Sequence, residues 1–345
     1  MQTTPAVSPM TPRERFLAAL AGRPVDRVPV FPLLMFFAAD RAGLSYRTFA
    51  TNGGALADAQ LGMQARFGLD AITACSDAFR LSADLGGRMA YPEDKPPYLL
   101  QPLVRSASDL SRLKSPDPLA QGSRMRDRVA AIEEMVKAVG GRVPVLGWVD
   151  MPFAEACSIC GVSDFMLMLV DDPAGAHRIL QFLTQHVIAF ALAQSHAGAD
   201  MIGAGDAAAS LVSQDMYRDF ALPYEQQVCA AVHAAGGRVK LHICGDTRHL
   251  MGDMVGCGAD LFNVDHLVPF ADARRVYGDA HACFKGNLDP VSEIMQATPA
   301  GCAAAAARCI RQAAGAAYML SAGCEIPAAT PDEVFAAFCE APRHV

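Results

Sequence analysis

Lys240-Leu241-His242-Ile243-Cys244-Gly245-Asp246-Thr247 is a largely apolar run that stops at a glycine and passes into a polar turn. Read outward, Arg238 to Ile243 forms a strand, a short helix follows near 247–256, and a second apolar run covers Asp260 to Val264. Strand, turn, helix, strand is the unit of a parallel sheet, because parallel neighbours need a crossover long enough to carry a helix. Positions two apart on a strand share a side, so His242 and Cys244 present an imidazole and a thiol together. Those are ready ligands for a borderline-soft ion such as zinc, although a lone His-x-Cys pair is also ordinary packing material.

The same unit recurs on both sides. Apolar runs precede it at Arg27 to Leu33, Leu69 to Cys75, Arg142 to Val149 and Asp200 to Gly205, and others follow at His281 to Gly286 and Ala317 to Ser321. Helices are expected near 123–139, 162–169, 173–197, 214–235, 300–314 and 331–339. Thr11-Pro12-Arg13-Glu14 reads as a helix start, with Thr as N-cap, Pro first and Glu third. Pro92, Pro96, Pro97 and Pro102 interrupt the pattern after the second run. Eight short strands separated by helices give an α/β chain folded as a (β/α)8 TIM barrel. One domain over 1–345 is expected, with an N-terminal tail and helix at 1–26 and an insertion after strand two, 76–142, at the barrel mouth. An open doubly wound sheet is the competing architecture, but no Gly-rich dinucleotide fingerprint follows an early strand.

Composition narrows the function. Of 345 residues, 52% are hydrophobic and 19% charged, which allows a large core and argues against global disorder. A net charge of -7 argues against general nucleic-acid binding and suits small-molecule or protein partners. No run of about 18 apolar residues is present, so no membrane span is expected. The first residues lack the basic-then-apolar order of a signal peptide. Eleven cysteines, an odd number without a dense framework, point to reduced thiols in a cytoplasmic protein.

In a barrel, active sites sit at the C-terminal ends of the strands. His242 and Cys244 end the fifth expected strand. Cys324 follows the eighth, in Ser321-Ala-Gly-Cys-Glu-Ile-Pro327. All three therefore converge on one mouth. One imidazole and two thiolates leave a tetrahedral zinc with an open position, the mark of a catalytic site. A thiol entering that position would lose its proton near neutral pH and, facing two thiolate ligands, stay nucleophilic toward an alkyl group. Asp206 after strand four, and Asp265 with His266 after strand six, are candidates to position substrate or support the imidazole, and equally to cap the following helices. Asn287 and Asp289 either shape the mouth or make a turn, and Glu325 is a further possible ligand. Cys157-Ser-Ile-Cys160 reads as a redox pair or half a zinc knuckle between strand three and a helix, without a thioredoxin-like context. Cys229, Cys257, Cys302, Cys309 and Cys339 read as packing. His177, His186 and His196 belong to a helix outside the barrel.

Several motifs resemble the uroporphyrinogen decarboxylase superfamily over nearly the whole chain. They are Thr11-Pro-Arg-Glu-Arg15 with Asp26-Arg-Val-Pro-Val30, Gly205-Asp206 leading to Tyr217 and Leu222-Pro-Tyr224, and Gly286-Asn-Leu-Asp-Pro290. The resemblance implies a (β/α)8 barrel. Decarboxylases of the superfamily carry an Arg-Gln-Ala-Gly-Arg segment after strand one that grips porphyrinogen carboxylates. Here that stretch is Leu34-Met-Phe-Phe-Ala-Ala-Asp-Arg41, without the arginine pair. Leu241-His-Ile-Cys-Gly245 and Gly323-Cys-Glu-Ile-Pro327 instead resemble the zinc-dependent methyltransferase branch that works with corrinoid proteins, including methylcobamide:coenzyme M methyltransferases. Glu325 and Ala328-Ala329 depart from that branch's Gly-Cys-x-(Ile/Leu)-Pro-Pro run. The likeness implies His242, Cys244 and Cys324 as zinc ligands, a corrinoid (cobalamin) protein as partner, and methyl transfer to a thiol. Met35-Phe36-Phe37 either faces the corrin ring or belongs to the core. The alternatives are demethylation of a methyl ether or thioether, corrinoid-independent alkyl transfer to a thiol, porphyrinogen decarboxylation, and a zinc-binding module without turnover.

Overall fold

The structure, a computed structural model, describes residues 9–345. Of the expected tail, residues 1–8 lie outside the described residues. The helix Pro12–Leu20 starts as the sequence indicates: Thr11 Oγ1 accepts from Glu14 N–H while the Glu14 carboxylate accepts from Thr11 N–H.

Nine strands follow in the chain: β1 Ile72–Thr73, β2 Met89–Ala90, β3 Tyr98–Leu99, β4 Val145–Asp150, β5 Met201–Gly205, β6 Val239–His242, β7 Leu261–Asn263, β8 Cys283–Leu288 and β9 Tyr318–Ala322. β2 and β3 form a small antiparallel pair. The other seven make one curled parallel sheet in the order β1-β4-β5-β6-β7-β8-β9, a half-barrel consistent with a TIM-barrel-like fold. Neighbours in space are neighbours in sequence, and helices fill the crossovers. Register places Asp150 beside Gly205, Gly205 beside His242, His242 beside Asn263 and Asn263 beside Lys285.

The first expected strand, 27–33, departs from the sequence reading. It makes only isolated parallel bridges, Val30 to Leu320 and Leu33 to Glu325. Pro29 and Pro32 supply no N–H, so a continuous ladder cannot form there. The backbone bonds that remain are Phe31 N–H to Leu320 O at 2.9 Å, Leu320 N–H to Pro29 O at 2.8 Å, Asp70 N–H to Val30 O at 3.0 Å and Ile326 N–H to Leu33 O at 3.0 Å. The segment thus touches both β9 and the residues leading into β1. Deep inside the curl, Phe31, Ala71, Leu146, Met201, Leu261, Cys283 and Met319 pack together, with Phe16 of the first helix pushed in beneath them.

Most expected helices are present, with instructive differences. The helix near 214–235 is two, Gln214–Phe220 and Leu222–Ala234, because Pro223 cannot donate to the preceding turn. The segment 76–142 holds β2, β3, a 3-10 turn at Ala107–Arg112 and the helix Arg124–Val139, which packs on the helix Gly53–Phe67. That second helix is hidden in the sequence behind Gly53-Gly54. Its start is set by Asn52, whose side chain accepts from Ala55 N–H at 3.0 Å. Another unexpected helix, Pro152–Cys160, carries the Cys-x-x-Cys pair that the sequence suggested for a connecting turn. No single helix among the described residues is long and apolar enough to cross a membrane.

One buried carboxylate ties the irregular first segment down. Asp70, fully buried, accepts from Arg15 Nη1 at 2.5 Å, Arg27 Nη1 at 2.7 Å and Val30 N–H at 2.7 Å. Removing one partner of a buried ion pair costs roughly 3–5 kcal/mol, because the remaining charge is stranded. Asp70→Ala is therefore expected to lower unfolding stability by about 3 kcal/mol or more. Chemical denaturation measures this, and a loss under about 1 kcal/mol, the size of a surface pair, contradicts it.

Candidate metal centre

His242 ends β6 and Cys244 lies two residues beyond, on the same side. Cys324 lies two residues beyond the end of β9. Side-chain ligand atoms of these three residues all lie within 4.8 Å of one another. His242 Nε2 is 3.8 Å from Cys324 Sγ. With zinc–ligand bonds of about 2.0–2.3 Å, a tetrahedral ion would separate such donors by about 3.6 Å. Nε2 is thus the ring nitrogen that faces Cys324, and Nδ1 is buried without a hydrogen-bond partner. One borderline nitrogen and two sulfurs suit zinc, which fits this donor set.

Two glycines permit the convergence. Gly245 takes φ +95°, a conformation that ordinary residues rarely adopt, and so turns the chain sharply after Cys244. A Cβ on Gly323 would lie 2.4 Å from His266 N, so only glycine lets the Cys324 turn press against the end of β7. Asn263 then fastens that turn, its Nδ2 donating to Gly323 O at 3.0 Å.

The thiols titrate against each other. Contact with Cys324 lowers the Cys244 pKa, while the shared proton and then burial push Cys324 up to about 12. The first proton therefore leaves Cys244. Both residues are partly exposed, and the other nine cysteines are buried.

The remaining candidates separate. Asp265 does not reach the imidazole. Its Oδ2 accepts from Gly245 N–H at 3.0 Å and its Oδ1 from Leu267 N–H at 3.0 Å, so it braces the Cys244 turn. His266 bonds Asp265 through Nδ1 at 3.0 Å and lines a separate hollow with Asn287 and Asp289. Asp206 is fully buried and does not line the cavity beside the three donors. It accepts from Ala154 N–H at 2.8 Å, fixing the first turn of Pro152–Cys160. Burial, then the neighbouring Glu225, pushes its pKa well up. Glu325 turns away from the sulfurs and accepts from Phe36 N–H, capping Phe36–Arg41. Asn287 donates to Val268 O at 2.6 Å, and Asp289 caps the following turn. His177 pairs with Tyr224 at 2.8 Å on the outer helix.

A cavity of about 690 Å³ opens over the three donors. Its wall is largely apolar, with Leu33, Met35, Phe79, Leu99, Trp148 and Leu211. Of Met35-Phe36-Phe37, only Met35 reaches it; Phe37 is core, and Phe36 stacks on Tyr46. Cys157 lines it and Cys160 does not. Sequence reading missed Asp77 and Asp150, which sit in this wall. Arg124 grips Asp77 with two 2.9 Å bonds, and Arg80 reaches Asp150 at 3.3 Å. A charge after each of two apolar runs, at Asp77 and Asp150, was the available signal. Lys240 also escaped notice. It is buried, its Nζ lies 4.6 Å from the Trp148 ring, and burial lowers its pKa to about 8.

Comparison with known proteins adds to this geometry. The model of the uroporphyrinogen decarboxylase (URO-D) family matches residues 11–345. A uroporphyrinogen decarboxylase from Coxiella burnetii is 31% identical over 348 residues, spanning 95% of this chain and 94% of the relative. One from Chlorobaculum tepidum is 31% identical over 252 residues, 71% of this chain and 70% of the relative. Among solved structures, a methyltransferase from Methanosarcina mazei superposes with TM-score 0.87 at 26% identity, covering 97% of this chain and 99% of that one. A B12-independent methionine synthase from Shewanella sp. W3-18-1 shares the fold at TM-score 0.56 and 13% identity, over 83% and 85% of the two chains.

Cysteine reactivity follows from the coupled thiols. In metal-free protein, iodoacetamide at about pH 8 is expected to modify Cys244 before any other cysteine, because its thiolate forms below the ordinary thiol range. Peptide mass spectrometry after partial labelling reads this. First labelling at Cys324, Cys75 or Cys157 contradicts it.

Proposed function

This chain belongs to the uroporphyrinogen decarboxylase family, and within that family we propose that it is a zinc-dependent methyltransferase. It moves a methyl group between a corrinoid protein carrying cobalamin and a small thiol, in the cytoplasm. The observation that carries this reading is the cluster of His242, Cys244 and Cys324 at an apolar cavity. The likeness to the Methanosarcina mazei methyltransferase supports it. We also read residues 29–33 as the eighth stave of a closed (β/α)8 barrel, on the strength of their bonds to Leu320 and Asp70, and the whole chain as one domain.

His242, Cys244 and Cys324 would hold the zinc, leaving a tetrahedral set one donor short. When bound, the ion supplies Lewis acidity that keeps an incoming thiol deprotonated near neutral pH. The chain's own residues do the rest. Trp148, Leu33 and Met35 line the cavity with apolar surface and keep bulk water from competing with the thiol. Asp265 holds the Gly245 turn and with it the direction of the Cys244 sulfur. Asp206 fixes Pro152–Cys160, one wall of the cavity. Asp206, Asp265 and His266 are thus positioning residues here. The corrinoid of the partner protein would supply the methyl group and keep the bonding electron pair, while the thiol sulfur takes the methyl to give a thioether.

The relatives named as decarboxylases offer a second reading, and the cavity weighs against it. Decarboxylation requires a carboxylate substrate, and a buried carboxylate needs a cation. Among the described residues, no arginine or lysine lines the cavity. Arg41, in the stretch after the first apolar run, is spent on Asp40, Asp332 and backbone carbonyls at 328 and 330.

Two results are expected. Purified protein should hold about one zinc per chain, lost in the Cys244→Ser plus Cys324→Ser variant, as metal analysis would show. Full zinc in that variant refutes the ligand set. Free methylcobalamin with a suitable thiol should yield Co(I), followed by its absorbance, and Cys324→Ser should reduce the rate by at least about 100-fold. Turnover only with a methyl ether and Co(I) would reverse the direction of transfer.

A further inference from the structure

The cavity wall has an uneven charge distribution. Apart from the three donors, the thiols of Cys75 and Cys157 and the phenol of Tyr98, the ionisable residues that line it are Asp77, its side chain buried against Arg124, and Asp150. The nearby basic side chains stand behind the wall, and the two arginines are already engaged. Arg124 gives both terminal nitrogens to Asp77, and its Nη2 also donates to Ala50 O at 2.8 Å. Arg80 divides itself between Asp150 at 3.3 Å and Asp77 at 3.6 Å. Lys285 donates to Phe31 O at 2.6 Å, and Lys240 lies under the Trp148 ring. The rest of the lining is mainly hydrocarbon and aromatic.

We propose that the co-substrate at this cavity is an uncharged thiol, or its methyl thioether, with an apolar body, and that ligands with an anionic tail are rejected. The inference rests on the methyl-transfer reading and adds the class of acceptor. A sulfonate or carboxylate tail would lose its hydration in an apolar cavity and find no arginine or lysine among the residues that line it. An alkyl or aryl tail would instead cover Leu33, Met35, Phe79 and Leu99, each of which gains by leaving water.

The protein supplies its own reporter. Trp148 is the single tryptophan of the chain, lines the cavity, and has its ring centroid 6.3 Å from that of His242. Zinc-loaded protein should be titrated with 2-phenylethanethiol, 2-mercaptoethanesulfonate and cysteamine while Trp148 emission is followed and zinc content is measured in the same samples. The neutral thiol is expected to bind at least about tenfold more tightly than the sulfonate. Leu211 lines the cavity rim and is 67% exposed, so a cation there would reach a bound tail. Leu211→Arg is expected to shift the preference toward the sulfonate, relative to the neutral thiol, about fivefold or more. With zinc bound, equal or tighter binding of the sulfonate to the unaltered protein overturns this inference alone, as does tightest binding of cysteamine. Protein that binds neither zinc nor any thiol overturns the methyl-transfer reading and this inference together.

Discussion

All seven strands of the large sheet run in one direction, so their ends gather on one side of the molecule. That constraint puts residues more than 80 positions apart into the same small volume. His242 and Cys244 leave β6, Cys324 leaves β9, and the intervening strands keep the two turns at a set spacing. Asn263 on β7 bridges them by holding Gly323 O. Asp265, two residues on, holds Gly245. The donors are thus braced by the backbone of a rigid sheet, which is how a site keeps its geometry against thermal motion.

The electrostatics of the interior are arranged around the same mouth. Four buried or nearly buried basic side chains, Arg80, Arg124, Lys240 and Lys285, stand near the cavity without lining it. Each is neutralised by a carboxylate, bonded to a carbonyl, or laid against an aromatic face. Burying a cation without such a partner is costly, and the same pairing leaves the cavity surface apolar with an acidic edge. The acidic residues therefore keep the framework neutral.

Local chemistry was read well where it is local. Thr11-Pro12 announced a helix that begins there, and the apolar runs from 142 onward became β4 to β9 almost where expected. Pairings that depend on distant partners were not visible. Pro29 and Pro32 look harmless inside an apolar run, and their missing N–H groups matter only once β9 lies alongside. Gly53-Gly54 resembles a loop until Asn52 is seen capping the helix. Asp206 and Asp265 stand at strand ends and so resembled members of the site. The structure turns one into the core and the other toward a backbone amide. Glu325, beside a ligand, caps a helix far away in sequence.

The sequence alone determined the alternation of strand and helix, because hydrophobic period and glycine or proline punctuation are local properties of the chain. It also determined three residues capable of holding a soft ion, since imidazole and thiol are intrinsic to His242, Cys244 and Cys324. Only the tertiary structure decided that these three meet within 4.8 Å, that Asp265 supports a turn without touching the His242 imidazole, and that no arginine or lysine among the described residues lines the cavity. Those outcomes depend on which side chains are satisfied by which neighbours, and burial assigns those partners only when the sheet has curled around them.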